Sequence, residues 1–236
     1  RLRNDDSLIR YEWLVAADLD GKAREATIYL AAPVEQADLE EDLAHLISTS
    51  EEAQWDDQRG TVVARRLRKL GELVLAEKEL AKPAPELIQQ GLLNAVHTAG
   101  LASLPWTAAT TQWCARVQQL ARLHPDDWPD VSAEALLARL EEWLLPFLVG
   151  MQRWADLKQL NLMDALNSLL SYPQQQQLHR LAPTALTIPT GQKVRLDYTA
   201  ENGPVLAAKL QALFGWTETP TVADGQIPVV LHLLSP

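Results

Sequence analysis

The sequence predicts an α+β fold made of a small OB-like β-barrel, a bundle of short helices and a strand-rich C-terminal α+β segment. Three observations lead to this prediction. Alternating strand patterns with turn residues prevail in residues 1–82, helical spacing of apolar residues prevails in residues 83–182, and strand patterns return in residues 183–236. We expect these three ranges to be domains and the last to be truncated, because residues 229–234 have the pattern of a buried strand at the very end of the chain.

The first range has the element content of a small closed barrel. Aromatic and branched residues at 11–15 and 25–30 flank Asp20-Gly21, which is typical of a β-hairpin turn. Leucines at helical spacing predict an amphipathic helix over residues 34–47. Three more strands are predicted at residues 54–55, 61–70 and 72–81. The middle strand is ambiguous, because its apolar residues would also suit a helix.

The second range begins after a linker and reads as helices. Lys82-Pro83-Ala84-Pro85 interrupts the strand pattern, and Pro85 can occupy the first turn of a helix that continues towards Gly100. Capping residues or prolines begin four further predicted helices, at Thr107, Ser132, Asn161 and Pro173.

The third range returns to strands. Strands are predicted at residues 185–188 and 193–198, followed by an amphipathic helix over residues 205–214 that ends at Gly215, and a last strand at 229–234. In the second strand Val194, Leu196 and Tyr198 would face the core, and Lys193 and Arg195 would face outward.

Composition limits the class of protein. The single cysteine, Cys114, excludes an internal disulfide framework and favours a reducing compartment, so we expect a cytoplasmic protein. The densest apolar stretch, residues 143–149, is far shorter than the ~20 residues of a membrane span. The chain begins without Met, and we expect it to be part of a longer polypeptide.

No catalytic constellation is evident. Gly21-Lys22-Ala23 lacks the upstream glycine and the Ser/Thr of a phosphate loop, and no Gly-x-Ser-x-Gly motif occurs. The five histidines do not have metal-ligand spacing. We therefore predict no catalytic residue, metal ligand or cofactor site in this chain.

Charge is distributed unevenly along a chain whose net charge is −10. Nine carboxylates without Lys or Arg lie in residues 35–57, and cations without a carboxylate follow in residues 59–69. Cations near an aromatic residue could follow a nucleic-acid backbone while the ring stacks on bases. The candidate nucleic-acid-binding residues are Arg59, Arg65, Arg66, Arg68, Lys69 and Trp55, with Lys193 and Arg195 as a lesser pair. The competing interpretation is a basic surface that neutralises the acidic segment before it.

Several short strings make the sequence resemble the C-terminal region of the bacterial DEAH-box RNA helicases of the HrpB family. They are Trp128-Pro129-Asp130, Glu142-Trp143-Leu144-Leu145-Pro146, Ala182-Pro183, Ile188-Pro189-Thr190-Gly191, Asp197-Tyr198, Leu210-Gln211-Ala212-Leu213-Phe214-Gly215 and Leu233-Leu234-Ser235-Pro236. At the front, residues 11–15 are similar to strands of the OB-type domain of DEAH-box helicases. The motor motifs of that family are absent from this chain, so no catalytic residue is transferred.

The resemblance implies an accessory C-terminal fragment of an ATP-dependent helicase. The whole protein would hydrolyse ATP with magnesium and bind single-stranded RNA or DNA, with its motor domains upstream in the same chain. This fragment would contribute nucleic-acid channel contacts and motor docking, and no catalysis of its own.

The alternative is a protein-interaction scaffold that uses the acidic helical surface near Glu40. An enzyme in its own right is a third and weaker possibility. The resemblance also implies a basic, aromatic tail beyond Ser235-Pro236, which this sequence does not include.

Overall fold

The computed structural model describes residues 7–20 and 26–235 and has the predicted α+β class. Its contacts divide the chain into two compact units. The first contains the described residues within Arg1–Glu52 and Ala64–Pro83, and the second consists of Ala53–Val63 and Ala84–Pro236 as far as they are described. The predicted domain boundaries after residues 82 and 182 stay predictions. No helix in the described part of the chain is both long and apolar enough to span a membrane.

The first unit opens with the predicted hairpin. Strands β1 (Leu14–Leu19) and β2 (Ile28–Pro33) pair antiparallel, and Thr27 donates its backbone N–H to the side chain of Asp20 at 2.8 Å. The predicted turn residue Gly21 and the predicted strand start at residue 25 lie outside the described residues. Helix α1 (Gln36–Asp42) is shorter than the predicted helix and is followed by a 3₁₀ turn, Ala44–Leu46.

A three-stranded antiparallel sheet follows, formed by β3 (Ile47–Asp56), β4 (Thr61–Leu70) and β5 (Leu73–Glu79). The ambiguous segment 61–70 is thus a strand, and it buries Val62, Val63, Ala64 and Leu67. The predicted OB-like barrel is not confirmed, because the strands described in residues 14–79 form separate sheets of two and three strands without closure. Strands β1 and β2 expose most of their residues on both faces, whereas a barrel strand buries every second side chain.

The second unit contains the helices that follow α1. The prediction of helix starts at Pro85 and Thr107 is confirmed by α2 (Pro85–Ala99) and α3 (Ala108–Leu123). Thr107 and Thr110 form a reciprocal capping box, with N–H donors 3.2 Å and 2.9 Å from the hydroxyl oxygens. Shorter helices follow: α4 (Ala133–Ala138), α5 (Leu140–Trp143), α6 (Trp154–Leu157), α7 (Leu162–Asn167) and α8 (Tyr172–Leu181).

Gly91 of α2 lies where the helix packs closely against neighbouring residues. A Cβ atom placed on Gly91 would lie 2.6 Å from Cγ1 of Val62 and 2.9 Å from Cβ of Ala53. The helix interior therefore accepts glycine here because α2 approaches the adjoining ends of β3 and β4 too closely for a side chain. Apolar residues of α2, α3, α5 and α7 complete the core of the helical part: Leu92, Val96, Val117, Leu120, Trp143 and Leu166.

The C-terminal part is a four-stranded mixed sheet in the order β11-β8-β7-β6. Strands β6 (Ala185–Thr187), β7 (Lys193–Asp197) and β8 (Val205–Lys209) pair antiparallel, and β11 (Val230–Leu234) pairs parallel to β8. The strand predictions at 185–188, 193–198 and 229–234 are confirmed to within two residues. A short pair, β9 (Thr221–Val222) and β10 (Ile227–Pro228), precedes β11.

The helix predicted over residues 205–214 is wrong. This segment is strand β8 followed by a 3₁₀ turn, Leu210–Leu213. Leu210 and Phe214, which helped to suggest an apolar helical stripe, are 49% and 66% exposed. The spacing of the apolar residues also fits a helix, but hydrogen bonding to strands on both sides of β8 decides in favour of the strand. Val205, Leu206 and Ala208 are its buried residues.

Candidate nucleic-acid interface

The largest group of predicted binding residues lies on strand β4 in the first unit. Side chains alternate between the two faces of a strand, so Arg65 and Lys69 lie on one face and Arg66 and Arg68 on the other. A phosphate backbone that ran along one face would therefore meet two of these four cations. The cations are close together in the sequence, but the strand places them on two opposite faces.

Each of the four cations contacts a carboxylate. Arg65 lies 3.1 Å from Glu77 of β5, and Arg66 lies 2.8 Å from Glu51 of β3. The other two pairs are Arg68 with Glu40 of α1 at 3.1 Å and Lys69 with Glu52 of β3 at 2.5 Å. The charge of β4 is thus neutralised from three neighbouring elements. Such partly exposed pairs contribute only about 0–1 kcal/mol each to stability, so a stronger anion could compete for the cations.

Two of these carboxylates have lowered pKa values. Hydrogen bonds from Gln36 and then from Arg68 lower the pKa of Glu40. The pKa of Glu52 is lowered by hydrogen bonds from Lys69 and then from Ser50. Both carboxylates consequently stay ionised in mildly acidic solution and continue to occupy their cations.

Trp55 and Arg59 belong to the second unit, Trp55 near the end of β3 and Arg59 in the turn between β3 and β4. Trp55 donates from Nε1 to Asp57 at 2.9 Å, and its ring packs against Trp154 with centroids 4.8 Å apart. Arg59 lies 3.6 Å from Asp56. Since one part of the Trp55 ring is already covered by another aromatic ring, only the remainder could stack on a base.

Lys193 and Arg195 differ from the β4 cations. They lie two residues apart on β7 in the second unit and therefore share a face, and both are exposed. Neither forms an ion pair with any residue in the ranges 7–20 and 26–235. The inward prediction for Leu196 and Tyr198 is confirmed, because these side chains are 5% and 4% exposed.

The sequence analysis missed Arg116, a buried cation on α3. Its Nε donates to the carbonyl of Ala182 at 2.6 Å and its Nη2 donates to that of Leu178 at 3.1 Å. These carbonyls belong to the C-terminal end of α8, where a cation is favoured by the helix dipole. Burial lowers the pKa of Arg116 from its usual value. The signal was present in the spacing, because Arg116 shares a helical face with Trp113, Val117 and Leu120.

The described residues contain no group of three or more His, Cys, Asp or Glu side chains placed to hold a metal ion. The interface candidates are thus cations and one indole ring. Chemically they could hold phosphates and stack on a base.

Comparisons with known proteins find similarity to one group of helicases. Residues 143–236 match the family model described as ATP-dependent helicase C-terminal, and residues 46–80 match the connector region of ATP-dependent RNA helicase HrpB. The second match covers most of the three-stranded sheet, and the first covers α6 to β11 and the C-terminal strings listed above.

The relatives agree with these matches. The chain is 40% identical over 235 residues to the ATP-dependent RNA helicase HrpB of Escherichia coli strain K12, which covers 98% of this chain and 29% of that protein. A crystal structure of the E. coli DExH-box NTPase HrpB matches with a TM-score of 0.69 at 40% identity, over 98% of this chain and 29% of that one. A crystal structure of the E. coli DEAH/RHA helicase HrpB matches with a TM-score of 0.68 at 35% identity, over 100% of this chain and 30% of that one. The chain spans less than a third of the length of these relatives, and its similarity is to the C-terminal region of the ATP-dependent RNA helicase HrpB.

Proposed function

We propose that this chain serves as the accessory C-terminal region of an ATP-dependent RNA helicase. The observation that carries the proposal is the 40% identity over 98% of the chain to a helicase of which it spans 29%. In this proposal the motor domains of the same polypeptide, outside the present sequence, bind ATP and magnesium and move the strand. The present residues dock on that motor, contact single-stranded RNA or DNA, and work in the cytoplasm.

The proposed nucleic-acid contact has two possible locations. One is β4, where Arg66 and Arg68 share a face but are held by Glu51 and Glu40. The other is β7, where Lys193 and Arg195 share an exposed face without a carboxylate partner among the residues that the structure describes. At β4 a phosphate would have to displace these carboxylates from the arginines. At β7 no such carboxylate competes within the described part of the chain, so phosphates should bind there more readily.

Fluorescence anisotropy with a labelled oligouridylate at low salt tests this contact. Three variants are compared with the parent: Arg66→Glu plus Arg68→Glu, Lys193→Glu plus Arg195→Glu, and the control Arg139→Glu. Arg139 is a suitable control because it is exposed and paired with Glu142 at 2.6 Å, yet is not a proposed contact. Loss of one or two phosphate contacts should weaken binding and reduce the slope of log K against log salt by about 0.7 per contact. Equal affinity of both double variants and the control would overturn the nucleic-acid contact.

The absence of catalysis is tested separately. The present chain, incubated with ATP, magnesium and oligouridylate, should release no phosphate above a blank. Phosphate release that persists after repeated purification would overturn the accessory role.

A scaffold that binds protein through acidic side chains is the second candidate. The observation that favours it is the exposed surface of α1, where Asp38, Glu41 and Asp42 form no ion pair with a residue in the described ranges. Lack of oligouridylate binding at low salt, together with capture of a protein partner that is lost in Glu41→Lys plus Asp42→Lys, would favour this candidate over nucleic-acid contact.

A further inference from the structure

A cavity of about 590 Å³ lies in the second unit among α3, α7, α8 and β7. Its wall is mostly apolar, with Ala109, Trp113, Met163 and Leu196 among the lining residues. Pockets of this size and character accommodate small organic ligands. The polar groups in the wall therefore decide which ligand the cavity prefers.

The charged residues that line the cavity carry one sign. Arg116 and Arg195 both contribute to the wall, His179 is a third lining residue, and no Asp or Glu is among the lining residues. This is unusual in a chain whose net charge is −10. The carboxylate of Asp197 contacts the lining residue Gln112 at 2.6 Å, but it also accepts hydrogen bonds from the backbone and hydroxyl of Thr199 at 2.9 Å and 2.6 Å.

Arg116 is the deepest of these groups, with 5% of its surface exposed. Its partners are two main-chain carbonyls, and no carboxylate of the described residues lies within ion-pair distance. The dipole at the end of α8 supplies the equivalent of about half a negative charge, which leaves part of the positive charge without compensation. A buried charge that lacks full compensation is costly, so an anion in the cavity would relieve that cost.

Two further lining residues each carry a side-chain donor. The guanidinium of Arg195 is exposed and unpaired among the described residues. The indole Nε1 of Trp113 is buried and has no acceptor within the described part of the chain. An apolar cavity with unsatisfied donors and no competing carboxylate matches a ligand that combines an anionic group with an apolar body.

We propose that this cavity binds a small organic anion, a carboxylate or phosphate carried on an apolar or aromatic body, with Arg116 and Arg195 as its anion-binding residues. Nucleic-acid contact at β4 is a separate function that can hold with or without this one. Contact at β7 would occupy Arg195 and is the alternative that the test below separates from it. The anionic group would lie towards the two arginines, and the apolar body would contact Met163, Leu196 and neighbouring side chains.

The test measures binding of three probes to the full chain by isothermal titration calorimetry: 1-naphthoate, 1-naphthyl phosphate and the uncharged 1-naphthamide. Either anion should bind at least about tenfold more tightly than the amide, because only the anions complement the arginines. The carboxylate and phosphate arms distinguish the two sources of charge. Equal affinity for all three probes would overturn the proposal.

Arg195→Gln with the matched control Lys193→Gln locates the site. Both substitutions remove one charge from the same face of β7, but only Arg195 lines the cavity. Affinity for the preferred anion should fall about fivefold in Arg195→Gln and stay unchanged in Lys193→Gln. Equal effects of the two variants, or displacement of the probe by oligouridylate, would overturn the assignment of a small-molecule site. Arg195→Gln is used because Arg116 also stabilises the end of α8, and its replacement could disturb folding.

Discussion

Arg68 of β4 donates from Nη1 to both carboxylate oxygens of Glu40 on α1, at 3.1 Å each. This contact joins the basic segment to the acidic segment that precedes it in the sequence. It supports the interpretation in which the two segments neutralise each other. A phosphate that bound Arg68 would have to compete with the Glu40 carboxylate.

The lowered pKa of Glu40 predicts a dependence of stability on pH. A carboxyl group whose pKa is lower in the folded state stabilises the fold above its unfolded pKa, and this contribution is lost as the pH falls through the folded pKa. Glu40→Gln should therefore lower the urea midpoint at pH 7, and the difference from the parent should shrink as the pH falls below about 4.5, the ordinary value for a glutamate. The control is Glu41→Gln, since Glu41 has no ion pair within the described residues. A difference that stays constant down to pH 2.5 would contradict the prediction.

Gly91→Ala should destabilise the second unit, although alanine normally favours a helix over glycine by about 0.5–1 kcal/mol. The new Cβ would lie 2.6 Å from Val62 and 2.9 Å from Ala53, so helix α2 or its neighbour must shift. We expect a loss of about 1–3 kcal/mol in the free energy of unfolding, measured by urea denaturation. Val62→Ala in the same chain should recover part of this loss, and a double-mutant cycle with no coupling between the two sites would argue against the contact.

Ala207→Thr tests the assignment of residues 205–209 as a strand. Ala207 is an exposed position of β8 opposite His232 of β11. Threonine is favoured over alanine in strands and disfavoured in helices, so the thermal midpoint should stay equal or rise in the variant. Ala207→Gly serves as the reference, because it should lower the midpoint. A midpoint of Ala207→Thr clearly below that of the parent would favour the helix, because alanine has the higher helix propensity.

Burial raises the pKa of the Cys114 thiol to about 12 from an ordinary value of 9.0. At pH 8 the thiolate fraction in the folded chain should therefore be about a thousandfold smaller than in the unfolded chain, because each pH unit is a factor of ten. Reaction with iodoacetamide should be correspondingly slow in buffer and rapid in 6 M guanidinium chloride. Cys114 is the only cysteine in the sequence, so the modification is unambiguous. Comparable rates in both solvents would contradict the prediction.

Local signals predicted much of the fold. Pro85 and Gly100 delimit α2, and the threonine at position 107 caps α3, because these signals depend on residues close in sequence. Strand β8 was mistaken for a helix because its stability comes from pairing with β7 and with β11, which is about 25 residues distant in sequence. A spacing rule applied to one segment contains no information on that pairing.

The candidate interface shows the same limit. The sequence indicated which residues carry positive charge on β4, but the partners of Arg65 and Arg68 come from β5 and α1. Those pairs depend on how the first unit folds. The position of Arg116 on the apolar face of α3 could be found from the spacing, but its partners could not, because the carbonyls that it contacts come from the end of α8.

The division of the chain into compact units determines how the second unit could be produced as a separate polypeptide. The segment Ala53–Val63 belongs with Ala84–Pro236, although Ala64–Pro83 lies between them in the sequence. A polypeptide that began at Ala84 would lack Ala53 and Val62, the two residues that pack against Gly91. It would present the glycine face of α2 to water. A polypeptide that begins at residue 53 and joins residues 53–63 to residues 84–236 through a new linker would retain that packing. Excision of the second unit therefore requires one new joint in the backbone in addition to a truncation.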